Sequence, residues 1–506
     1  MATIDNKRIA KNTLLLYIRM FVSMVVSLYT SRIILNALGV EDFGIYNVIA
    51  GVIGMMSFFN NSMATATQRF LNFEMGKKNY KRSIQIFSVS VIIFCLLIFV
   101  IFLLAETLGI WFIKNHLTIP ASRLDATLVM YQFSILTFIF NMLSIPYQAT
   151  IIAYEKMGTF AYISIFDVIG KLIIAFFIYY SPFDKLIFYS IMYSFISFSI
   201  FFFYYGYCKK KFEICKMQWK WNYDLAKQLL SFSGWMFSGT ISTMLSNQGV
   251  NILINIFFGP IYNAARAVSM QVYNAVNNFV VNFMTATRPQ IVKSYAEGSF
   301  HYTIQLVFTS SKFAFFLLFI LSISFFFEAN TILTIWLKNP PKDSDIFTQL
   351  ILLDLLITAM YTPLGTLSQA SGKIKKYQLS ISYCFISIFL LTYLAYKLYF
   401  PAYSCFIIAI IVNLIGLHIR LNILKETVNF PYKEYAIRVF IPLISVFILS
   451  YSFNLLIKSV LSREDILYLI MRCIIYISSS LITIYFIGIN KRERQYLHNF
   501  IIKIRK

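Results

Sequence analysis

The sequence predicts an all-α integral membrane protein of about fourteen transmembrane helices. Three observations carry that prediction. Of the 506 residues 59% are hydrophobic and 13% charged, and the mean hydropathy is +0.70; a soluble domain carries about 25% charged residues. Apolar runs recur along the whole chain, each close to the ~20 residues that cross ~30 Å of hydrocarbon. The loops between them are short and leave no room for a soluble domain of any size. In lipid only helices and closed barrels satisfy their own backbone, and runs this long are helices.

Taken in order, the first run follows Lys7, Arg8 and Lys11 and resembles the start of a signal peptide. It is longer than the roughly 7–15 apolar residues of such a leader and is interrupted by Arg19, so it is expected to stay as span 1. Spans 2–6 centre near residues 57, 93, 137, 169 and 195, and spans 7–12 near 243, 277, 316, 358, 387 and 413. Spans 13 and 14 centre near 445 and 477. The expected organisation is a six-helix bundle over 1–207, a basic linker over 208–224 and a second six-helix bundle over 225–430. Spans 13 and 14 then occupy 431–490, and a basic tail 491–506.

A net charge of +23 in a soluble chain would point to nucleic acid. Here the bias of basic residues toward cytoplasmic loops explains it. With the amino terminus inside, about 28 of the 44 basic residues fall in cytoplasmic segments, about 8 outside and about 8 within spans. "GKKNYKR" (from Gly76), "CKKKFEICKMQWK" (from Cys208), "GKIKK" (from Gly372) and "KRERQYLHNFIIKIRK" (from Lys491) are the inner segments. Both termini are thus expected in the cytoplasm of a bacterial inner membrane, with anionic lipid headgroups as partners and no nucleic acid. The six cysteines form no CxxC and the four histidines stand singly, so neither a disulfide framework nor a metal site is expected.

The chain repeats itself. A shift of 220 residues lays Thr65-Ala66-Thr67 on Thr285-Ala286-Thr287 and Gly39 on Gly259, and "GIYN" from Gly44 has a counterpart in "GPIYN" from Gly259. With six spans per half the two halves keep one orientation. Transporters built from such parallel repeats bind substrate where the repeats meet.

Polar stripes mark where water enters. Span 7 carries Thr240, Thr243, Asn247, Asn251 and Asn255 at helical spacing, span 8 Asn274, Asn278 and Asn282, and span 2 Asn60, Asn61, Thr65 and Gln68. Helix–helix hydrogen bonding is the bland explanation, worth about 0.6 kcal/mol per contact; a wet cavity is the functional one. Among the charges, Asp167 and Lys171 lie four apart and can neutralise each other, as a structural pair or as an ion-coupling site alongside Asp354. Arg69 and Arg288 are expected to reach headgroups. Arg19, Arg32 and Arg266 have no carboxylate on spans 1 and 8 to balance them, and Lys312 and Arg472 also lie within spans. A cation survives in lipid only beside water, a partner or an anionic ligand. A guanidinium suits phosphate oxygens well, so these five form the expected cationic cavity.

The stretch "SRIILNALGVEDFGIYNV" from Ser31 resembles the start of the polysaccharide-biosynthesis family of lipid-linked oligosaccharide flippases. These belong to the multidrug/oligosaccharidyl-lipid/polysaccharide (MOP) transporter superfamily. Span count, repeat and basic linker fit that family over the whole chain. The resemblance implies a flippase that carries undecaprenyl-diphosphate-linked O-antigen, capsule or exopolysaccharide units to the outer leaflet. It implies a cavity lined by spans 1, 2, 7 and 8, a lipid groove near spans 13 and 14 where Arg472 would lie, and neighbouring glycan polymerase and glycosyltransferases. No cofactor is expected beyond a coupling proton or sodium ion.

Two rivals stand beside this reading. A cation-coupled multidrug antiporter of the same superfamily would use Asp354. A membrane glycosyltransferase or glycan polymerase would use Glu41-Asp42, which reads otherwise as the polar part of a turn before Phe43-Gly44.

Overall fold

The computed structural model describes residues 2–55, 58–116, 119–218, 221–461, 465–491 and 493–495. The side chains of Arg32 and Asn61, both expected site residues, lie outside the described residues, as does most of the tail over 491–506.

All regular structure among the described residues is helical. Spans 1 and 2 begin as one run, Ala2–Met55, broken at Gly39, and continue in Phe58–Gly76. Span 3 is Tyr80–Leu104, extended by a π turn at Ala105–Gly109 and by Ile110–His116. Spans 4, 5 and 6 are Leu124–Ala153, Met157–Phe177 and Lys185–Lys211. Spans 7 to 12 follow as Tyr223–Phe258, Pro260–Ala296, Phe300–Leu337, Ser344–Ser371, Lys375–Lys397 and Ser404–Val428. Span 13, Ile441–Val460, is preceded by Tyr432–Tyr435 and a π turn, and span 14 is Ile466–Thr483. Among the described residues, spans 3–6 and 9–14, ten in all, are long and apolar enough on their own to cross a membrane.

The repeat is visible in the backbone. Gly39 and Gly259 both break the helix with φ of 81° and 83° and ψ close to 180°, a conformation essentially reserved for glycine. Lys78 and Gly298, also 220 residues apart, both take positive φ in the turn before the next span. Spans 3 and 9 then start at Tyr80 and Phe300, and spans 4 and 10 at Leu124 and Ser344, at the same shift of 220. Span 4 packs against spans 2, 3 and 6, and span 10 against spans 8, 9 and 12. Each of these central helices carries an internal proline, Pro146 and Pro363.

The chain divides into two compact units. One runs from Arg8 to Phe237; the other takes in Ser238 onward and the amino-terminal residues to Lys7. The division lies inside span 7 rather than in the basic linker. The first turns of span 7 stay with the first unit because Phe232 packs edge-on against Phe70 of span 2, with ring centroids 5.7 Å apart.

In the first unit Arg123, at the start of span 4, bridges Asp42 of span 2 and Asp184 at the cap of span 6. Asp42 is therefore helical and paired, not part of a turn. In the second unit spans 13 and 14 close on span 9: a side chain at Gly488 would sit 2.5 Å from the ring of Phe316.

Candidate functional site

A polar chamber lies inside the second unit, and helical spacing builds it. After the break at Gly259, span 8 presents Arg266, Met270 and Tyr273 on one face; span 10 presents Asp354, Thr358 and Tyr361 with the same spacing. Span 7 adds Thr243, Ser246, Asn247 and Val250, and span 12 adds Cys405, Ala409 and Asn413. The enclosed volume is about 140 Å³. A groove of about 490 Å³, lined by Thr240, Thr243, Met244, Asn247, Gln248 and Met270, adjoins it through Thr243, Asn247 and Met270.

A chain of contacts runs through the chamber wall. Asn413 Nδ2 donates to Asp354 Oδ1 at 2.7 Å, and the Tyr361 hydroxyl donates to Asn413 Oδ1 at 3.3 Å. Thr358 Oγ1 lies 3.1 Å from the same hydroxyl. The Arg420 guanidinium covers the Tyr361 ring, with Cζ 3.8 Å from its centroid. Gly416, one turn earlier on span 12, allows the close approach of Cys384: a Cβ there would stand 3.0 Å from Cys384 Sγ, but at an ordinary contact distance of 3.8 Å from Arg420 Cζ. Arg266 is 7% exposed, and its Nη1 has no hydrogen-bond partner. Arg266 thus lines the chamber together with Asp354, while Arg420 lies outside the lining, against the Tyr361 ring.

Of the expected site residues, the fold brings Thr243, Asn247, Arg266 and Asp354 together. Asn251 is instead a structural contact, accepting from Asn263 Nδ2 at 3.0 Å through its side chain and 2.9 Å through its carbonyl. Asn274 and Asn278 are exposed and do not line the chamber. In the first unit Arg19 stands over the Phe160 ring at 4.9 Å. Asn60 and Thr65 are half-buried there, and Asn60 Oδ1 has no hydrogen-bond partner. Asp167 and Lys171 form their pair at 2.8 Å, with Lys171 also over Tyr193 at 4.8 Å.

Three expectations change. Lys312 is not a cavity cation; it is buried and held by Glu493 Oε2 at 2.5 Å and the Gly488 carbonyl at 3.2 Å. Arg472 is not beside an open groove. It grips Glu328 with an ion-pair contact of 2.9 Å and a hydrogen bond of 3.0 Å, and Tyr476 donates to the same carboxylate at 3.1 Å. Arg69 does not reach headgroups but is buried among Phe70, Phe73 and Phe232. Both span-9 ion pairs join residues more than 140 positions apart in the chain, and sequence spacing carries no signal for that.

Arg420 and its partners Tyr361 and Asn413 escaped the sequence reading because "GLHIRLNI" reads as the cytoplasmic exit of span 12. The signal was present. Asn413 and Arg420 are seven residues apart, two turns on one face, as are Asp354 and Tyr361, and Arg266 and Tyr273.

No family model and no curated relative matches the sequence. The fold is that of the MATE transporters of the MOP superfamily. A MATE protein crystallised with MaD3S superposes with a TM-score of 0.72 at 12% identity, over 84% of this chain and 97% of that one. An outward-facing multidrug resistance MATE transporter of the MOP superfamily gives 0.69 at 13% identity, over 83% and 96%. A MOP superfamily transporter from Pyrococcus furiosus, whose binding pocket has reverse polarity, gives 0.68 at 13% identity, over 83% and 96%.

Proposed function

We propose that the protein is a transporter that carries an undecaprenyl-diphosphate-linked oligosaccharide from the inner to the outer leaflet by alternating access. The observation that carries this reading is Arg266, a buried guanidinium with a free Nη1 in a chamber joined to a groove in which hydroxyl and amide side chains alternate with Met244 and Met270. A desolvated guanidinium favours a phosphate or carboxylate oxygen, and Thr240, Thr243, Asn247 and Gln248 offer the weak polar contacts that sugars use. The glycan and diphosphate are too polar for hydrocarbon, while a polyprenyl tail stays in lipid. Moving outward, the anion also runs with an inside-negative potential, at ~2.3 kcal/mol per charge per 100 mV. The reverse-polarity pocket of the Pyrococcus furiosus relative supports a role other than drug export within this fold.

The test is a deletion strain, complemented with wild type or with Arg266→Ala. Lipid-linked glycan accumulating on the inner leaflet, with surface polysaccharide lost, supports the reading; normal surface glycan with Arg266→Ala defeats it. A second reading, a cation-coupled multidrug antiporter, is favoured by Asp354 in the chamber wall and by the drug-resistance function named for one structural neighbour. Drug susceptibility of the same strains separates the two.

A further inference from the structure

Asp354 is the only acid between Asp345 and Glu426, so it is the chamber's single source of negative charge from spans 10, 11 and 12. A carboxylate moved from water into a membrane lobe loses several kcal/mol of hydration and needs a compensating charge. That charge comes either from a dissolved cation or from the protein.

The chain supplies one. From Asp354 the contacts run to Asn413 at 2.7 Å, to Tyr361 at 3.3 Å and to Arg420 over the Tyr361 ring at 3.8 Å. Arg420 is 1% exposed, and neither its Nε nor its Nη1 has a hydrogen-bond partner. No other acid competes for it on span 12: Glu426 is exposed and pairs with Lys376 at 3.3 Å. A buried cation and a buried anion are thus joined through one tyrosine and one amide, each lacking any other counter-ion among the described residues of spans 10 to 12.

The geometry points to Arg420 as a specificity-determining residue: a tethered counter-cation for Asp354, coupled through Tyr361 and Asn413, that closes this acid to dissolved cations. Arg266 is then the charge that the chamber presents to a ligand. Without the Arg420 charge, the Asp354 carboxylate with the oxygens of Asn413, Thr358 and Tyr361 becomes an oxygen-lined site suited to a hard cation such as sodium. The inference concerns the chamber alone and does not depend on the identity of the cargo.

The experiment uses the full-length protein in nanodiscs, melted in sodium chloride and in choline chloride at equal ionic strength. Wild type melts at the same temperature in both. Arg420→Gln gains a sodium-dependent rise of about 1 °C at a tenfold excess over Kd, and adding Asp354→Asn removes it. A sodium-dependent rise in wild type that Asp354→Asn abolishes overturns the proposal, as does an Arg420→Gln protein indifferent to sodium. Where Arg420→Gln does not fold, the double variant decides. Asp354→Asn alone lowers the melting temperature, and adding Arg420→Gln recovers part of the loss; no recovery overturns the coupling. These readouts are melts of purified protein, so they fail or succeed separately from the surface-glycan test.

Discussion

Gly39 and Gly259 occupy the same place in the two six-span halves, with φ of 81° and 83°, yet seven residues further on the first half has Tyr46 and the second Arg266. The pattern continues. Opposite Asp354 stands Ser134, whose hydroxyl donates to the Met130 carbonyl at 2.8 Å, and opposite Arg420, at a shift of 219, stands Phe201 among Phe140, Tyr147 and Tyr205. Tyr46 itself packs edge-on to Tyr189 at 5.2 Å. The first half fills with neutral groups the positions where the second half places three charges. What the halves share is backbone: the glycine break, the positive-φ turn and a central helix with a proline. What they do not share is charge, so the scaffold alone does not make the chamber.

The largest expected effect tests that contrast directly. Arg266→Ala abolishes surface glycan, whereas Tyr46→Phe at the equivalent position leaves it at the wild-type level; loss of glycan in both would dissolve the distinction between the halves.

Next come the buried ion pairs, which also differ between halves. Glu328–Arg472 and Lys312–Glu493 are nearly inaccessible to solvent, and removing one partner of such a pair costs about 3–5 kcal/mol. Glu328→Gln and Lys312→Leu should therefore lower the melting temperature sharply. Lys171→Met in the first half, whose pair with Asp167 is about a quarter exposed, should cost no more than ~1 kcal/mol. Equal losses would show that burial does not separate the two sets.

Gly39→Ala and Gly259→Ala probe what the halves have in common. A side chain in this backbone region costs about 1–3 kcal/mol. Space is open around both glycines, so the cost is conformational, and the two melts should fall by similar amounts. A strong asymmetry would argue against equivalence.

The smallest effect belongs to the Arg123 clamp, whose counterpart at the start of span 10 is Asp343, a residue of the opposite charge. Burial pushes the Asp184 carboxyl up, but hydrogen bonds from Arg123 and from the Ile187 and Leu186 N–H groups outweigh it and hold the carboxyl below its ordinary value. The resulting stabilisation is complete above the ordinary carboxylate range and disappears as pH falls through the lowered value. Arg123→Ala should cost under ~1 kcal/mol at neutral pH and flatten the acid limb of a melt-versus-pH curve.

Much of this was legible in the chain. Hydropathy marked the spans, and matched triplets 220 residues apart marked the repeat, down to the two glycines whose dihedrals agree. Arg266 stood out because span 8 has no acid to balance it, and Thr243 and Asn247 because their spacing follows one helix face. Arg472 and Lys312 were grouped with it as cations within spans and are paired instead, since Glu328 and Glu493 reach them from other segments. Arg420 was not among the span cations singled out and is among the most buried large side chains.

By itself, then, the sequence determined the helical class, the places where the helices break and the doubling of six spans, because lipid and backbone preferences act on neighbouring residues. Only the tertiary structure decided which arginines are neutralised and which one faces a chamber. That depends on how each helix is rotated against helices far away in the chain, and at buried sites a single paired carboxylate changes what a cation can do.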